Sequence, residues 1–162
     1  MRKLEEKNLS AAVSLAMHYR DLNQPEEAES ICRDVLDVAP DNEAALRTLG
    51  LALTDRFLED YLTLFDEACA TFARLGSPYE RVYYAGIAWE RYGKAQLRAG
   101  RAHNALHAYE EAIERFEEAE RLGPRDEPAA ILHYNHCVRA LGAPELVHAA
   151  SIPPRPKYEF GD

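Results

Sequence analysis

Residues 89–112 read WERYGKAQLRAGRAHNALHAYEEA, and this stretch decides the fold. Trp89, Tyr92 and Gly93 lie within one and a bit helical turns, and Ala99-Gly100-Arg101 then breaks the pattern. After the break, Ala105, Tyr109 and Ala112 recur at i, i+4 and i+7, the period of a second helix. Small residues (Gly93, Ala105, Ala112) let two paired helices approach closely, and Trp89, Tyr92 and Tyr109 fill the gaps between them. The stretch is one helix–turn–helix unit.

The same unit occurs earlier. The spacing from Trp89 to Ala105 equals that from Ala12 to Ala28. A first helix, roughly Leu9 to Leu22, ends at Asn23-Gln24-Pro25, and Pro25 suits the first turn of a second. That helix carries Ala28, Cys32 and Val35 at i, i+4 and i+7 and stops at Ala39-Pro40-Asp41-Asn42. Shifted by about 34 residues, Ala12, Leu15, Ala16 and Tyr19 fall on Leu46, Leu49, Gly50 and Leu53. The chain resembles the tetratricopeptide repeat, whose pattern is a large residue, Leu-Gly and an aromatic on the first helix. Ala, an aromatic and Ala follow on the second, and a proline closes the unit. The likeness spans residues 9 to about 142 and is strongest in the first and third copies.

Two copies depart from the family's length. In the second, Ala68, Phe72 and Leu75 sit about six residues late, so 55–61 is an insertion. Its apolar spacing (Phe57, Leu58, Tyr61, Leu62, Phe65) predicts a lengthened second helix. In the third, the second helix runs on through Ile113, Phe116, Ala119 and Leu122 before Gly123-Pro124, and that stripe needs cover from the preceding copy or another subunit. A partial fourth unit follows. Pro128 starts a helix containing Ile131, Tyr134, Val138 and Leu141, Gly142 ends it, and Pro144 to Ala150 is a short last helix. The expected fold is all-α: a solenoid of antiparallel helix pairs with about three repeats, a partial fourth, and lengthened helices in two. Residues 1–150 form one domain, and 151–162 a Pro-rich extended tail, because Pro153, Pro154 and Pro156 cannot continue a helix.

Composition supports this reading and removes other function classes. The β-branched residues never alternate, so nothing reads as a strand. With 28 acidic against 19 basic side chains and a net charge of -9, neither nucleic acid nor an anionic membrane surface is an expected partner. Nothing approaches the roughly 20 apolar residues that span a bilayer, and Met1–Ser10 is too charged for a signal peptide. Cys32, Cys69 and Cys137 are odd in number and far apart, which points to reduced core residues and a cytoplasmic location.

The resemblance implies where a ligand would sit. In the family, the first helix of each pair builds the inner wall of a superhelix, and that wall binds a peptide or a partner's helix. By register the wall takes Val13, Met17 and Arg20 from the first copy, and Arg47, Leu51 and Asp55 from the second. Glu90, Arg91, Lys94 and Arg98 come from the third, and His133, His136 and Arg139 from the fourth. Its cations would suit an acidic segment or a C-terminal carboxylate, at about 1.5–3 kcal/mol per charge-assisted hydrogen bond. The lysine and asparagine with which the family's carboxylate clamp grips chaperone tails are Val13 and Met17 here, which argues against that ligand.

Chemistry finds little footing. His103 and His107 are spaced i, i+4, as are His133 and Cys137, but no third ligand is evident. They read as a solvated pair and as groove histidines beside a core cysteine. No nucleophile elbow, phosphate loop or zinc-protease motif occurs. The Glu-rich run from Glu110 to Glu120 reads as an ion-paired surface. The expectation is therefore a non-enzymatic adaptor or scaffold without metal or cofactor, which binds another protein or a peptide segment. A self-associating scaffold is the alternative, and the Pro153–Pro156 element, with Arg155 and Lys157 beside it, has the form of a ligand for aromatic grooves.

Overall fold

A computed structural model describes residues 2–152 and shows eight α-helices and no strand among them. They are α1 (Leu9–Asp21), α2 (Pro25–Val38), α3 (Glu43–Asp55), α4 (Tyr61–Phe72), α5 (Pro78–Arg98), α6 (Ala102–Leu122), α7 (Ala129–Leu141) and α8 (Pro144–Ser151). Proline occupies the first turn of α2, α5 and α8, where its missing N–H costs nothing. Asn42, Asp60 and Ser77 cap α3, α4 and α5 by accepting from the backbone N–H groups of Ala45, Thr63 and Glu80, which satisfies orphan donors. The turns inside the first and third hairpins each hold a residue in the left-handed region, Asn23 at φ 58° and Gly100 at φ 73°. Asn and Gly adopt that conformation at least cost.

The hairpins stack. α1 touches α3, α3 touches α5 and α5 touches α7, while α2, α4 and α6 each pack between their own first helix and the next one. One buried cluster unites Ala16, Ala28, Leu46, Leu53, Phe57 and Phe72 of the first two hairpins. Another unites Ile87, Tyr109, Phe116, Cys137 and Leu146 of the later ones. Leu51 and Tyr84 border both and make the core continuous. This is the arrangement the repeat pattern predicts.

Two details differ from the sequence reading. The insertion does not lengthen a helix: residues 56–59 form a turn, and α4 starts afresh at Tyr61 behind the Asp60 cap. Arg56 pins that turn by donating to Glu29 and Glu59. α6 runs on to Leu122 as expected, and its partner α5 is lengthened as well. α5 and α6 have 21 residues each, against 13 in α1 and 14 in α2, about two extra turns at the end away from Gly100. The apolar stripe of α6 is therefore covered largely from within its own hairpin. Tyr83 packs edge-on against Phe116, and a Cβ on Gly86 would lie 2.7 Å from the Phe116 ring. Leu122 stays exposed.

On α7 small residues face the core. Ala130 and Cys137 are its buried residues, with Tyr134 and Leu141 half-buried against the core. Ile131, Leu132 and Val138 are exposed. Small residues face α6 because the helices lie close. α8 then packs against α6 through Leu146. Ser151 still belongs to α8, whereas Pro153, Pro156, Tyr158 and Phe160 lie outside the described residues.

Candidate functional site

The first helices bring most of the expected residues to one wall, and they meet there as ion pairs. Asp55, the last residue of α3, accepts from the Arg20 Nε of α1 at 2.7 Å and from an Nη of Arg91 on α5. Arg91 also donates to the Thr54 hydroxyl. One turn-pair away, an Nη of Arg47 donates to both carboxylate oxygens of Glu80, at 2.9 and 3.1 Å. Further on, Glu90 lies 2.6 Å from His133 Nδ1 and 3.5 Å from His136 Nε2. Arg20, Arg47, Asp55, Glu90, Arg91 and His133 thus stitch successive first helices together. Burial pulls the Arg91 guanidinium below its ordinary pKa, and Asp55 opposes that shift.

No ion pair among the described residues uses Lys94, Arg98 or Arg139. Lys94 and Arg98 lie one turn apart near the end of α5, both exposed. With Asp55, Phe57, Leu58 and Arg91 they line a cleft of about 260 Å³. Arg139 and His136 are exposed on α7. Arg20, Arg47 and Arg91 are opposed by carboxylates, which leaves Lys94 and Arg98, side by side in one cleft, and Arg139 on α7 as the wall's cations outside those pairs.

Two apolar positions part company. Met17 is 52% exposed on α1, but Val13 is only 6% exposed and packs with Val35 and Ala45. Val13 is a core residue and lines no groove. Leu51 is half-buried between the two clusters. His133 stacks on the Phe116 ring at 5.2 Å, which fixes α7 on α6. Among the described residues, no three His, Cys, Asp or Glu side chains are grouped to hold a metal. Burial raises Cys32 and Cys137 to about 12 and Cys69 to about 11, so all three remain neutral thiols.

The sequence reading missed a second site. A cleft of about 600 Å³ opens between α4 and α6, lined by Tyr61, Leu62, Phe65, Asp66, Trp89, Tyr92, Asn104 and His107. Phe65 packs on both Trp89 and Tyr92 with centroids 4.7 Å apart, and Trp89 meets Tyr92 edge-on at 6.0 Å. The Arg101 guanidinium lies over Tyr61 at 4.9 Å. The signal was present as the aromatic run Tyr61–Phe65, and treating it as the middle of a longer helix concealed it.

Residues 9–42, covering α1, α2 and the turn after them, match the tetratricopeptide repeat family. The chain contains a tetratricopeptide repeat, a unit that generally mediates protein–protein interaction. The search of curated proteins found no match. Among the described residues, no helix is long and apolar enough to cross a membrane.

Proposed function

We propose that the chain is a non-enzymatic protein-interaction module whose inner wall takes an acidic segment of a partner protein, with Lys94 and Arg98 as the receiving cations. One observation carries this reading. In a chain of net charge -9, these two cations share a cleft with exposed Leu58, and none of the ion pairs among the described residues engages them. Carboxylates of a guest would gain charge-assisted hydrogen bonds there, bidentate from Arg98, and an adjacent aliphatic side chain would cover Leu58. Arg91 belongs to the wall's own scaffold.

The test is fluorescence anisotropy with a labelled acidic–aliphatic peptide and a twin in which every Glu is Gln. Wild-type protein should prefer the acidic peptide, and binding should weaken as salt rises. Lys94→Ala/Arg98→Ala should lose about tenfold or more in affinity, the equivalent of one charged hydrogen bond, with an unchanged melting temperature. Equal binding of the twin, or undiminished binding by the double variant, defeats the proposal. A second reading, self-association, is favoured by exposed Ile131, Leu132 and Val138 on α7 and Val147 on α8, rather than by the long helices, which bury their faces in each other. A single monomeric species in sedimentation at micromolar concentration removes it.

A further inference from the structure

The aromatic cleft shares no residue with the Lys94–Arg98 cleft. It opens across α5 from it, since Trp89 falls about 200° round the helix from Arg91. Phe65 is its hub: the ring packs on Trp89 and on Tyr92 at 4.7 Å each, and Tyr92 meets Tyr61 at 5.9 Å. The rings tilt against one another by 42° to 61°, so no sandwich hides their faces, and all four are half-buried. An aromatic face carries negative potential and attracts a cation within about 6 Å of its centroid, tryptophan most strongly. The chain itself shows this attraction. The Arg101 guanidinium lies 4.9 Å over the Tyr61 ring, and no ion pair among the described residues engages it.

No Lys or Arg lines the cleft, but a carboxylate does. Asp66 is exposed, directly follows Phe65, and stands outside every ion pair among the described residues. Burial raises the Tyr92 hydroxyl, Tyr61 and Asp66 add to that, and Arg101 opposes it, so both charges act on one ring. Asn104, on the far side, donates through Nδ2 to the fully buried Gln96, which leaves its Oδ1 to accept. We propose that this cleft binds an arginine side chain from a basic segment of a partner protein, the guanidinium on the Trp89 ring and its fork on the Asp66 carboxylate. An uncharged guest would cover Asp66 without pairing it, at a desolvation cost. A lysine would bring the charge but not the flat face and the two parallel donors. The volume of about 600 Å³ lies within the range of about 300–1,000 Å³ for ligand sites, enough for the side chain and the backbone beside it. This site differs from the inner wall in both face and charge preference, and it does not depend on that reading.

Trp89 is the chain's only tryptophan, so its emission reports on the cleft. The experiment follows acrylamide quenching of Trp89 in the full chain while the capped peptide Gly-Ser-Arg-Gly-Ser is titrated at constant ionic strength. Two twins replace the arginine with its uncharged isostere citrulline or with lysine. The arginine peptide should shield the indole saturably, lowering the quenching constant about twofold, and should bind about threefold or more tightly than either twin. Asp66→Asn should weaken the arginine peptide about threefold or more with an unchanged melting temperature, because the side chain it replaces is exposed and unpaired. Absence of saturable shielding by the arginine peptide overturns the proposal. Equal binding of the citrulline twin shows an apolar cleft and overturns it as well. Equal binding of the lysine twin reduces the effect to net charge and overturns the assignment to arginine, while undiminished binding by Asp66→Asn overturns the role of that carboxylate.

Discussion

Replacing Asp55 with alanine should weaken the fold and tighten the proposed ligand at once. Its carboxylate accepts from both Arg20 and Arg91, and all three side chains are between 21% and 32% exposed. Two charged hydrogen bonds in the interior would be worth about 1.5–3 kcal/mol each. Exposure of this degree screens them toward the surface range of about 0.2–1 kcal/mol. Removal also leaves two guanidinium groups opposed across the wall, and Arg20 already acts on Arg91 in the same direction as burial does. A combined loss of about 1–3 kcal/mol follows, or about 3–9 °C in melting temperature for a chain of this size. Urea unfolding measures it, and the deficit should shrink as salt screens the residual repulsion. The same variant adds one net positive charge beside Lys94 and Arg98, so the acidic peptide should bind about threefold to tenfold more tightly. Stability lost without a gain in affinity would refute the inner-wall ligand. No loss of stability would refute the ion-pair account of the wall.

Gly86→Ala should destabilise by about 1–3 kcal/mol despite alanine's better helix propensity, because the new Cβ meets the ring of fully buried Phe116; Phe116→Leu in the same chain should recover part of the loss in thermal unfolding. The cysteines should resist iodoacetamide in the folded state at neutral pH, since burial holds Cys32 and Cys137 up at about 12 and the thiolate is the reactive form. Because the folded values lie above the unfolded value of 9.0, the stability tied to neutral thiols is whole below about pH 9 and is lost as pH climbs toward 12. Rapid labelling of the native protein at pH 7 would contradict this.

The helices were legible because each carries its own punctuation. Pro25 and Pro144 mark starts, and the left-handed turn positions Asn23 and Gly100 fall at matching places in two copies. The insertion was misread for the opposite reason. Phe57, Leu58, Tyr61 and Phe65 have helical spacing, but Asp60 acts as an N-cap and Arg56 finds carboxylates on two sides. A cap signal should have outweighed a short periodicity. On α7, close packing against α6 selects the small residues Ala130 and Cys137, the latter expected in the core. The pairing of the inner wall was beyond sequence reading, since Arg20–Asp55 and Asp55–Arg91 join residues about 35 apart that meet only when hairpins stack.

The inserted turn between α3 and α4 and the residues just after it border both candidate sites. Phe57 and Leu58 of the inserted turn lie beside Lys94 and Arg98, while Tyr61, Leu62 and Phe65, just after the turn, line the aromatic cleft. A repeat of regular length would bring the chain from α3 to α4 with a shorter turn, leaving neither Leu58 at the rim of one cleft nor the Tyr61–Phe65 edge against Trp89. The insertion is tied down through Arg56 to Glu29 of α2, so it is held in place on both flanks. Arg56→Ala should therefore loosen both sites together, lowering affinity for the acidic peptide and increasing acrylamide access to Trp89. Loss of one response without the other would show that the turn does not couple the two faces.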